Sequence, residues 1–448
     1  MDMRELMFKE VVISTQVRKK SVGVRRFVQM LWQVEFSSTQ GLAGLSPIRQ
    51  HRTPARARLQ CLGNGCPIHK AFTMKIRAAV LQTIGLSGPY VSTTPLKIGT
   101  VELQAPQFGE VLVRIRAAGL CHSDLSVISG DRPRPVPMVL GHEGAGEVVE
   151  CGPGVSDLKI GDRVVMVFMP SCGGCVPCAE GRPALCEPGA VANGAGTLLE
   201  GGRRLEQGGQ MVNHHLGVSC FAEYAVVSRR SCVKIDADIS HAEAALFGCA
   251  VLTGVGAVVN TAKVQAGTSA AVLGLGGVGF SALMAAVASG AREIVAIDLS
   301  DEKLALAREL GATATFNAAD NSSLEAIRTL TKGGVDYAFE MAGAIPAMEL
   351  AWGITRRGGS TISAGLPNPA LRFALPPVAL VAEERILRGS YIGSAVPARD
   401  IPRYIALYQA GKLPVNRLMG KRLRLDDINE GFDRLASGHG LRDVVVFD

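Results

Sequence analysis

The sequence predicts an α/β protein in which a region of short strands precedes a doubly wound parallel sheet. Between residues 78 and 233 the chain contains short β-type runs, several of them bounded by Gly and Pro. From about Gly267 apolar strands alternate with helices, which is typical of a parallel sheet with right-handed crossovers. A helix near 401–410 and a last strand over 443–447 follow, and we expect this tail to return to the first region.

Individual elements follow from hydrophobic patterning and from turn residues. In the first region the clearest strands are 110–115, 146–150 and 162–167. In the second region the order is strand 270–273, a Gly-rich turn with an Ala-rich helix, strand 293–297, helix 302–310, strand 335–340, helix 347–352 and strand 359–364. The sequence contains no internal repeat and no low-complexity tract.

Composition indicates a globular chain without a nucleic-acid partner. The 448 residues are 47% hydrophobic and 19% charged, enough for two or three domains. The net charge of +7 arises in the first 73 residues, which carry twelve Lys and Arg against four Asp and Glu. The remaining chain is therefore close to neutral, and its charge does not suggest binding to nucleic acid.

Residues 1–73 are predicted to be an extension outside the folded protein. The segment is basic and poor in acidic residues, as transit peptides are. The alternatives are a disordered arm, a start codon placed too early, or an arm that binds nucleic acid. Met74 is followed directly by an apolar run typical of a first strand, and for this reason we favour a disordered or mis-assigned extension.

No segment is predicted to span a membrane, and the cysteines suggest a reducing compartment. The longest uncharged run, 266–291, is long enough to cross a bilayer but contains six glycines, which indicate strand, turn and helix. Four of the eleven cysteines lie within fifteen residues at metal-ligand spacing. Thiolate ligands must stay reduced, so we expect a cytoplasmic protein without membrane attachment.

A Gly-rich turn predicts a dinucleotide site in a Rossmann-type sheet. The G-x-G-x-x-G motif consists of Gly274, Gly276, Gly277 and Gly279 around Leu275 and Val278. It follows an apolar strand, opens a helix and precedes Asp298, which ends the next strand. The glycines would allow the turn, the approach of a pyrophosphate and close helix packing, and the carboxylate would bind the ribose of NAD and repel the extra phosphate of NADP. A plain Gly-rich βα turn is the alternative.

Four cysteines predict a structural metal site. Cys172, Cys175, Cys178 and Cys186 are separated by two short spacers and one longer loop. Four thiolates fill a tetrahedral Zn²⁺ shell and leave no open position. An iron–sulfur cluster also takes four cysteines, and disulfides are a further alternative. The surrounding Gly and Pro residues indicate a loop with no core of its own.

Other candidate ligands are scattered. Cys121, His142 and Cys249 have no local chelate spacing, and each alone could be an ordinary buried thiol or loop histidine. In their sequence context the motifs nevertheless stand in a recognisable order. They are Gly-Leu-Cys-His-Ser-Asp at 119–124, Gly-His-Glu-Gly-Ala-Gly at 141–146, the four cysteines, Gly-Cys at 248–249, the Gly-rich turn and Asp-Ile-Asn-Glu-Gly-Phe-Asp at 427–433.

This order resembles the medium-chain zinc-dependent alcohol dehydrogenases, close to their class I and class III branch, from about Lys75 to the C-terminus. The resemblance implies a mostly β, GroES-like catalytic domain over 74–250 and 392–448, with a Rossmann domain over 251–391. It implies two zinc ions, NAD, a small alcohol or aldehyde substrate, and a homodimer. Zn²⁺ would act as a Lewis acid on the alcohol while a hydride passes to NAD⁺.

The resemblance also implies residue roles. Cys121, His142 and Cys249 correspond to the ligands of a catalytic zinc ion, for which a Cys₂His set with an open fourth position is the known arrangement. Asp124 and Glu143 correspond to carboxylates behind those ligands, and Ser123 to a hydroxyl that carries the alcohol proton. The cofactor-contacting positions correspond to His122, Thr253, Val278, Lys303 and Arg442, and the substrate pocket to Phe168, Leu216, Leu366 and Tyr391.

Two positions depart from the family pattern. Ser126 stands where many members carry a histidine at the end of a proton relay, which leaves the exit route open. Ala190 stands near the position of an arginine in glutathione-dependent formaldehyde dehydrogenases. The main prediction is oxidation of an unbranched or aromatic primary alcohol. The alternatives are the glutathione-dependent activity and, in another class, a non-catalytic zinc- and dinucleotide-binding protein.

Overall fold

The structure, a computed structural model, describes residues 73–320, 322–438 and 440–448. The predicted extension, residues 1–73, lies outside these residues except for Thr73. The first strand begins at Thr73, one residue before the Met74 start that the sequence suggested.

Eighteen strands and thirteen α-helices are formed by the described residues. The strands are β1 Thr73–Leu81, β2 Leu96–Gln104, β3 Glu110–Gly119, β4 Met138–Val139, β5 Glu143–Cys151, β6 Arg163–Met166, β7 Leu205–Gln207, β8 Gln210–His214, β9 Tyr224–Ser228, β10 Cys232–Lys234, β11 Ser269–Leu273, β12 Glu293–Asp298, β13 Ala314–Asn317, β14 Val335–Glu340, β15 Thr355–Ser363, β16 Ile386–Gly389, β17 Met419–Leu423 and β18 Arg442–Val446. The helices are α1 Tyr90–Thr93, α2 His122–Ile128, α3 Val176–Ala179, α4 Glu187–Ala195, α5 His241–Leu246, α6 Ala250–Gly256, α7 Gly277–Ala288, α8 Asp301–Glu309, α9 Ser323–Leu330, α10 Ile345–Ile354, α11 Pro377–Ala382, α12 Pro397–Gln409 and α13 Ile428–Ala436.

The first region forms two β-layers. Strands β1, β2, β7, β8 and β4 close a small barrel, and β10, β6, β5, β3, β18 and β17 form a sheet in which β9 also pairs with β3. The C-terminal strand β18 runs antiparallel to β3, with Val444 opposite Gly119. The predicted return of the C-terminal tail to the first region is therefore confirmed.

The second region is a parallel sheet in the strand order β13-β12-β11-β14-β15-β16. Numbered along the chain, this is the order 3-2-1-4-5-6 of a doubly wound Rossmann sheet. The predicted α/β class, a Rossmann sheet beside a mostly β region, is confirmed. Strands β13 and β16 were not predicted, because β13 is only half-buried and β16 is exposed, so neither shows a continuous apolar run.

Two glycines of the Gly-rich turn are required by the packing. Gly274 has φ +89°, and a Cβ there would lie 2.8 Å from the Ala342 backbone nitrogen. A Cβ at Gly279 would clash with the carbonyl oxygen of Gly274, so α7 can approach the end of β11 only with glycine at this position. Beside Gly276 there is open space. This is where a ligand could approach the backbone.

The apolar run at 266–291 is a buried strand and a buried helix. Every residue of β11 is buried, and so is most of α7, because the helix is enclosed within the protein rather than amphipathic. Among the described residues no helix is long and apolar enough to cross a membrane.

Candidate active site

The ends of three elements bring the scattered candidate ligands together. Cys121 precedes α2 as β3 ends, His142 precedes β5, and Cys249 precedes α6. The ligand atoms of these residues and of Glu143 all lie within 4.8 Å of one another, and all four side chains are buried. The fold thus assembles a cluster that the spacing in the chain did not predict.

This cluster has the chemistry of a metal site. His142 Nε2 is buried and has no hydrogen-bond partner among the described residues, and the same holds for both carboxylate oxygens of Glu143. A buried polar atom without a partner is costly, and a metal ion would remove that cost. The hydrogen bond with Cys249, together with the positive charges of Arg442 and His142, keeps the pKa of Cys121 well below its usual range. Two sulfurs and one imidazole nitrogen fit Zn²⁺.

Asp124 orients the imidazole ring of His142 through its Nδ1 atom. Its Oδ1 lies 3.1 Å from His142 Nδ1 and accepts a hydrogen bond from the Gly141 backbone N–H at 3.1 Å. The ring of His142 is thereby oriented so that Nε2 faces the thiols. Burial opposes ionisation of Asp124, but the charges and hydrogen bonds of His142 and His215 outweigh it and hold the pKa at about 2.

His215 is a component of the site that the sequence did not reveal. Its Nδ1 lies 3.0 Å from Asp124 Oδ1, and its ring centroid is 5.5 Å from that of His142. The residue is buried, and burial lowers its pKa. No spacing in the sequence connects position 215 with 124 or 142, so the signal exists only in the folded chain.

Glu143 and Arg442 form a buried charged pair beside the thiols. Arg442 Nη1 lies 3.6 Å from Glu143 Oε1 and donates a hydrogen bond to the Leu120 carbonyl at 2.7 Å. Burial raises the pKa of Glu143 to about 8, although the charge of Arg442 opposes this shift. A Cβ at Gly119 would lie 2.5 Å from Glu143 Oε2, so any larger residue here would displace this carboxylate.

Backbone N–H groups bind two of the sulfurs in the four-cysteine lobe, and they favour the thiolate of Cys172. Cys172 Sγ accepts from the N–H groups of Gly174 at 3.4 Å and Cys175 at 3.3 Å, and these bonds lower the pKa of Cys172 to about 6. Cys186 Sγ accepts from the N–H of Cys172 at 3.2 Å. The four sulfurs, with those of Cys175 and Cys178, lie within 4.8 Å of one another, and all four thiols are free.

Asp298 ties the Gly-rich turn to the end of β12. Its Oδ2 accepts from the Leu275 N–H at 2.5 Å and its Oδ1 from the Ser300 N–H at 3.0 Å. The carboxylate therefore has a structural contact as well as the predicted place at the carboxyl end of the sheet. Ser300 caps α8 by accepting from the Lys303 N–H at 3.4 Å, which fixes the start of the helix that carries Lys303.

Several predicted cofactor residues converge on the start of α7. The Arg442 guanidinium occupies the space that a Cβ at Gly277 would need, 2.6 Å from Nη2, and its Nε is buried without a partner among the described residues. Loss of hydration lowers the pKa of His122, and the positive charges of Arg442 and Lys303 lower it further. This positive region at a helix N-terminus suits a pyrophosphate.

Thr253 and Val278 lie on two helices in direct contact. Thr253 is buried in α6, and its N–H donates to the Cys249 carbonyl at 2.8 Å. A Cβ at Gly254 would clash with the carbonyl oxygen of Val278, so the two helices cross closely at this point. The helix that begins beside Cys249 is therefore packed directly against the Gly-rich turn, which contains Val278.

A cavity of about 420 Å³ lies at the carboxyl ends of β15 and β16. Leu366 and Tyr391 line it, whereas Phe168 and Leu216 do not. Phe168 instead packs edge-on against His142, with ring centroids 5.3 Å apart, and against Tyr391 at 6.1 Å. Leu216 is buried directly after His215.

Comparisons with known proteins agree with the fold and identify the family. Residues 107–237 match the alcohol dehydrogenase GroES-like domain, and residues 277–410 match the zinc-binding dehydrogenase domain. The S-(hydroxymethyl)glutathione dehydrogenase of Paracoccus denitrificans is 36% identical over 384 residues, which are 84% of this chain and 100% of that protein.

Solved structures show the same similarity. Benzyl alcohol dehydrogenase from Acinetobacter calcoaceticus is 33% identical with a TM-score of 0.78, covering 84% of this chain and 100% of that one. A putative zinc-binding dehydrogenase from Sinorhizobium meliloti 1021, solved with bound NADP, is 25% identical with a TM-score of 0.68 and the same coverage.

The chain belongs to the zinc-dependent medium-chain alcohol dehydrogenases, as the resemblance in the sequence implied. It is a zinc-dependent oxidoreductase that acts on small alcohols or aldehydes with a nicotinamide dinucleotide. Its cysteine clusters fit one structural and one catalytic zinc ion.

Proposed function

We propose that this enzyme oxidises a primary alcohol to an aldehyde at the cluster of Cys121, His142 and Cys249, with NAD⁺ as hydride acceptor. The observation that carries the proposal is the buried His142 Nε2, which has no hydrogen-bond partner in the described part of the chain and lies within 4.8 Å of two thiols. Residues 74–250 with 392–448 would form the catalytic domain and 251–391 the dinucleotide domain, in line with the three sheets. Bound Zn²⁺ supplies Lewis acidity that lowers the pKa of the alcohol.

The side chains behind the ligands set the geometry of the centre. Asp124 fixes the tautomer and the direction of the His142 ring, with His215 as a second partner on the same carboxylate. Glu143 sits against Arg442 and places a carboxylate directly beside the thiols. Burial of all these groups excludes water and strengthens their mutual interactions.

Ser123 is the proposed proton carrier, since it follows Cys121 and His122 at the start of α2 and is half-buried. Ser126, which replaces the usual histidine, donates its hydroxyl hydrogen to the His122 carbonyl at 2.8 Å. A serine has no titratable group near neutral pH, so Ser126 would not be the final base. The proton would leave through water at the exposed side of α2.

NAD rather than NADP is the proposed cofactor. Asp298 ends β12 at the place where the adenosine ribose lies in Rossmann sheets. Two backbone N–H groups bind its carboxylate and hold the negative charge in place. That charge would accept ribose hydroxyls and repel the additional phosphate of NADP.

The exposed edge of the parallel sheet supports a homodimer. All residues of β16 are exposed, and so are apolar side chains of α11, Val378 at 70% and Val381 at 81%. Exposed strand edges and apolar patches are typical of interfaces. The nine described cysteines are free, which supports a cytoplasmic location.

Glutathione-dependent oxidation of S-(hydroxymethyl)glutathione is the second candidate, favoured by the similarity to the Paracoccus denitrificans enzyme. The deciding experiment measures reduction of NAD⁺ and NADP⁺ over a panel of primary alcohols, and over formaldehyde with and without glutathione. Turnover of simple alcohols with NAD⁺ alone is expected. An absolute requirement for glutathione would select the second candidate, and equal kcat/KM for the two cofactors would refute the role of Asp298.

A further inference from the structure

A buried carboxylate ends one of the central strands of the parallel sheet. Glu340 is the last residue of β14, and it is only 1% exposed. Its neighbours in register are Leu273, the last residue of β11, and Ser363, the last residue of β15. Glu340 therefore lies at the carboxyl edge of the sheet, between the strand that leads into the Gly-rich turn and the strand that leads to the cavity.

Hydrogen-bond donors rather than a cation satisfy this carboxylate. Glu340 Oε1 accepts from the N–H groups of Ala342 at 2.8 Å and Gly343 at 2.6 Å, and Oε2 accepts from the Ser363 hydroxyl at 3.0 Å. None of the ion pairs formed by the described residues includes Glu340. Hydrogen bonds to a charged acceptor are stronger than neutral ones, so Glu340 fixes its donors more firmly than an uncharged side chain would.

The same residue binds two loops, which follow β14 and β15. Its side chain binds the loop after β14 at Gly343. Its main-chain carbonyl binds the loop after β15, because it accepts from the N–H groups of Ala364 at 2.9 Å and Gly365 at 3.2 Å. The two loops also pack against each other, since a Cβ at Gly343 would lie 2.9 Å from the Leu366 nitrogen.

Each loop contacts a different part of the dinucleotide-binding region. A Cβ at Gly274 in the Gly-rich turn would lie 2.8 Å from the Ala342 nitrogen, so the loop after β14 packs against that turn. Residues 364–366 of the loop after β15 line the cavity of about 420 Å³. Glu340 therefore connects the wall of the cavity to the Gly-rich turn.

The position of these loops in the sheet assigns them to one half of the cofactor. A Rossmann sheet consists of two mononucleotide-binding halves, and a dinucleotide lies across the point where the strand order reverses. Here that point lies between β11 and β14, and Asp298 is on the β12 side of it. With the adenosine at Asp298, the nicotinamide half belongs at the carboxyl ends of β14, β15 and β16, where Glu340 holds the loops.

We propose that Glu340 is a positioning residue for the nicotinamide half of the cofactor. It acts through the backbone of the two loops, which it holds in place before the cofactor binds. Preorganised loops spare the cofactor the cost of ordering them. The Gly-rich turn has its own carboxylate, because Asp298 accepts from the Leu275 N–H, so the adenosine half does not depend on Glu340. The inference rests on the dinucleotide site and not on any particular alcohol.

The test compares the whole cofactor with a fragment that lacks nicotinamide. Calorimetry on the purified, zinc-loaded, full-length enzyme measures Kd for NADH and for ADP-ribose in the wild type and in Glu340→Gln. The amide has a similar size but carries no charge and offers one acceptor oxygen instead of two. Kd for NADH should rise about tenfold, because loops that are no longer held must be ordered on binding. Kd for ADP-ribose should change by less than about twofold, as expected for independent sites.

Asp336→Asn is the matched control. Asp336 lies near the other end of β14, where its Oδ2 accepts from the Ser269 N–H at 2.8 Å and from the Ser269 hydroxyl at 2.7 Å. Both variants weaken a carboxylate that joins β14 to a neighbouring strand, so both should lower the thermal midpoint. Only Glu340→Gln should weaken NADH. Equal loss of NADH affinity in the two variants would show a general effect of stability and would overturn the proposal.

A second variant covers the case in which Glu340→Gln does not fold. Glu340→Asp keeps the charge on a shorter side chain that reaches fewer donors, so Kd for NADH should rise about threefold while ADP-ribose binds as before. If the enzyme prefers NADPH, the same comparison uses NADPH and 2′-phospho-ADP-ribose, and no turnover is needed. Unchanged affinity for the whole cofactor, or an equal loss for cofactor and fragment, would refute the role of Glu340 whether or not an alcohol is oxidised.

Discussion

The two cysteine clusters hold their donors in different ways. In the lobe, Cys172 to Cys186 come from one short loop, three of the four side chains are only partly buried, and backbone N–H groups bind the sulfurs. In the catalytic cluster, Cys121, His142 and Cys249 come from three distant segments and are fully buried among charged groups. The first closes a shell locally, whereas the second depends on the whole fold and leaves room for a substrate.

Stability and chemistry are therefore assigned to different clusters of the molecule. Four thiolates leave no open position, so a metal ion in the lobe would stabilise the loop that holds it. The catalytic cluster contains buried atoms that have no hydrogen-bond partner among the described residues, and a metal ion would bind them there. Substitutions in the two clusters should therefore have opposite effects on folding and turnover.

The largest effect is expected from the ligands themselves. Cys121→Ser should lower kcat by at least about 10³-fold, because Lewis-acid activation is worth several kcal/mol, while the thermal midpoint stays near that of the wild type. Cys175→Ser should instead lower the thermal midpoint, because it weakens metal binding in the lobe, while the folded enzyme keeps its turnover. Steady-state kinetics and calorimetry on both variants measure this. Full activity of Cys121→Ser would refute the catalytic assignment.

The next effect concerns proton transfer, which only the catalytic cluster performs. Ser123→Ala should lower kcat by roughly 10²–10⁴-fold, the usual contribution of acid–base assistance, and Ser123→Thr should retain most activity. Ser126→Ala should have a mild effect, since its hydroxyl bonds to the His122 carbonyl. If proton exit limits the rate, Ser126→His should raise turnover at low pH. Profiles of kcat against pH decide this, and an unaffected Ser123→Ala enzyme would show another route.

A smaller effect is expected behind the histidine ligand. Asp124→Asn removes the charge that orients His142 and should weaken zinc binding at the catalytic cluster by about 10–100-fold, with no change in the lobe. Competition with a chelator measures both affinities. Asp157→Asn, which breaks an exposed ion pair with Arg229, is the control. Equal zinc affinity in Asp124→Asn and wild type would mean that the carboxylate does not support the metal.

The smallest effect is expected at His214, the neighbour of His215, and concerns the pH dependence of stability. Burial and the charges of Arg204 and Arg203 lower the pKa of His214 from 6.5 to about 3. Between pH 6.5 and about pH 3 the unfolded chain therefore binds a proton at this histidine that the folded protein does not bind. This histidine alone lowers the free energy of unfolding by up to about 1.4 kcal/mol per pH unit as the pH drops through that range. His214→Gln should remove this contribution and make the pH dependence of urea unfolding shallower. Parallel slopes for the two proteins would contradict the shift.

The features that could be predicted from the sequence are those encoded within short stretches of the chain. The Cys172–Cys186 spacing, the Gly-rich turn before α7 and the strand–helix alternation all lie within short stretches of chain. They predicted the lobe, the turn and the Rossmann sheet. The half-buried strand β13 and the exposed strand β16 were not predicted, because their packing is set by neighbouring strands rather than by their own apolar pattern.

The rest of the site depends on contacts between distant residues. Cys121, His142 and Cys249 could be grouped only through a resemblance, since their spacing carries no chelate pattern. His215 had no signal in the sequence. Arg182 had none either, because only the fold places it in the cavity wall with Leu366 and Tyr391.

The most direct test of two separate zinc sites is a metal count combined with turnover in the same preparations. Elemental analysis should find two zinc ions per chain in the wild type and one in Cys121→Ser, which should be folded and inactive. Cys175→Ser should retain turnover in proportion to the folded fraction that survives. One zinc ion or none in the wild type, or iron with sulfide, would contradict the account.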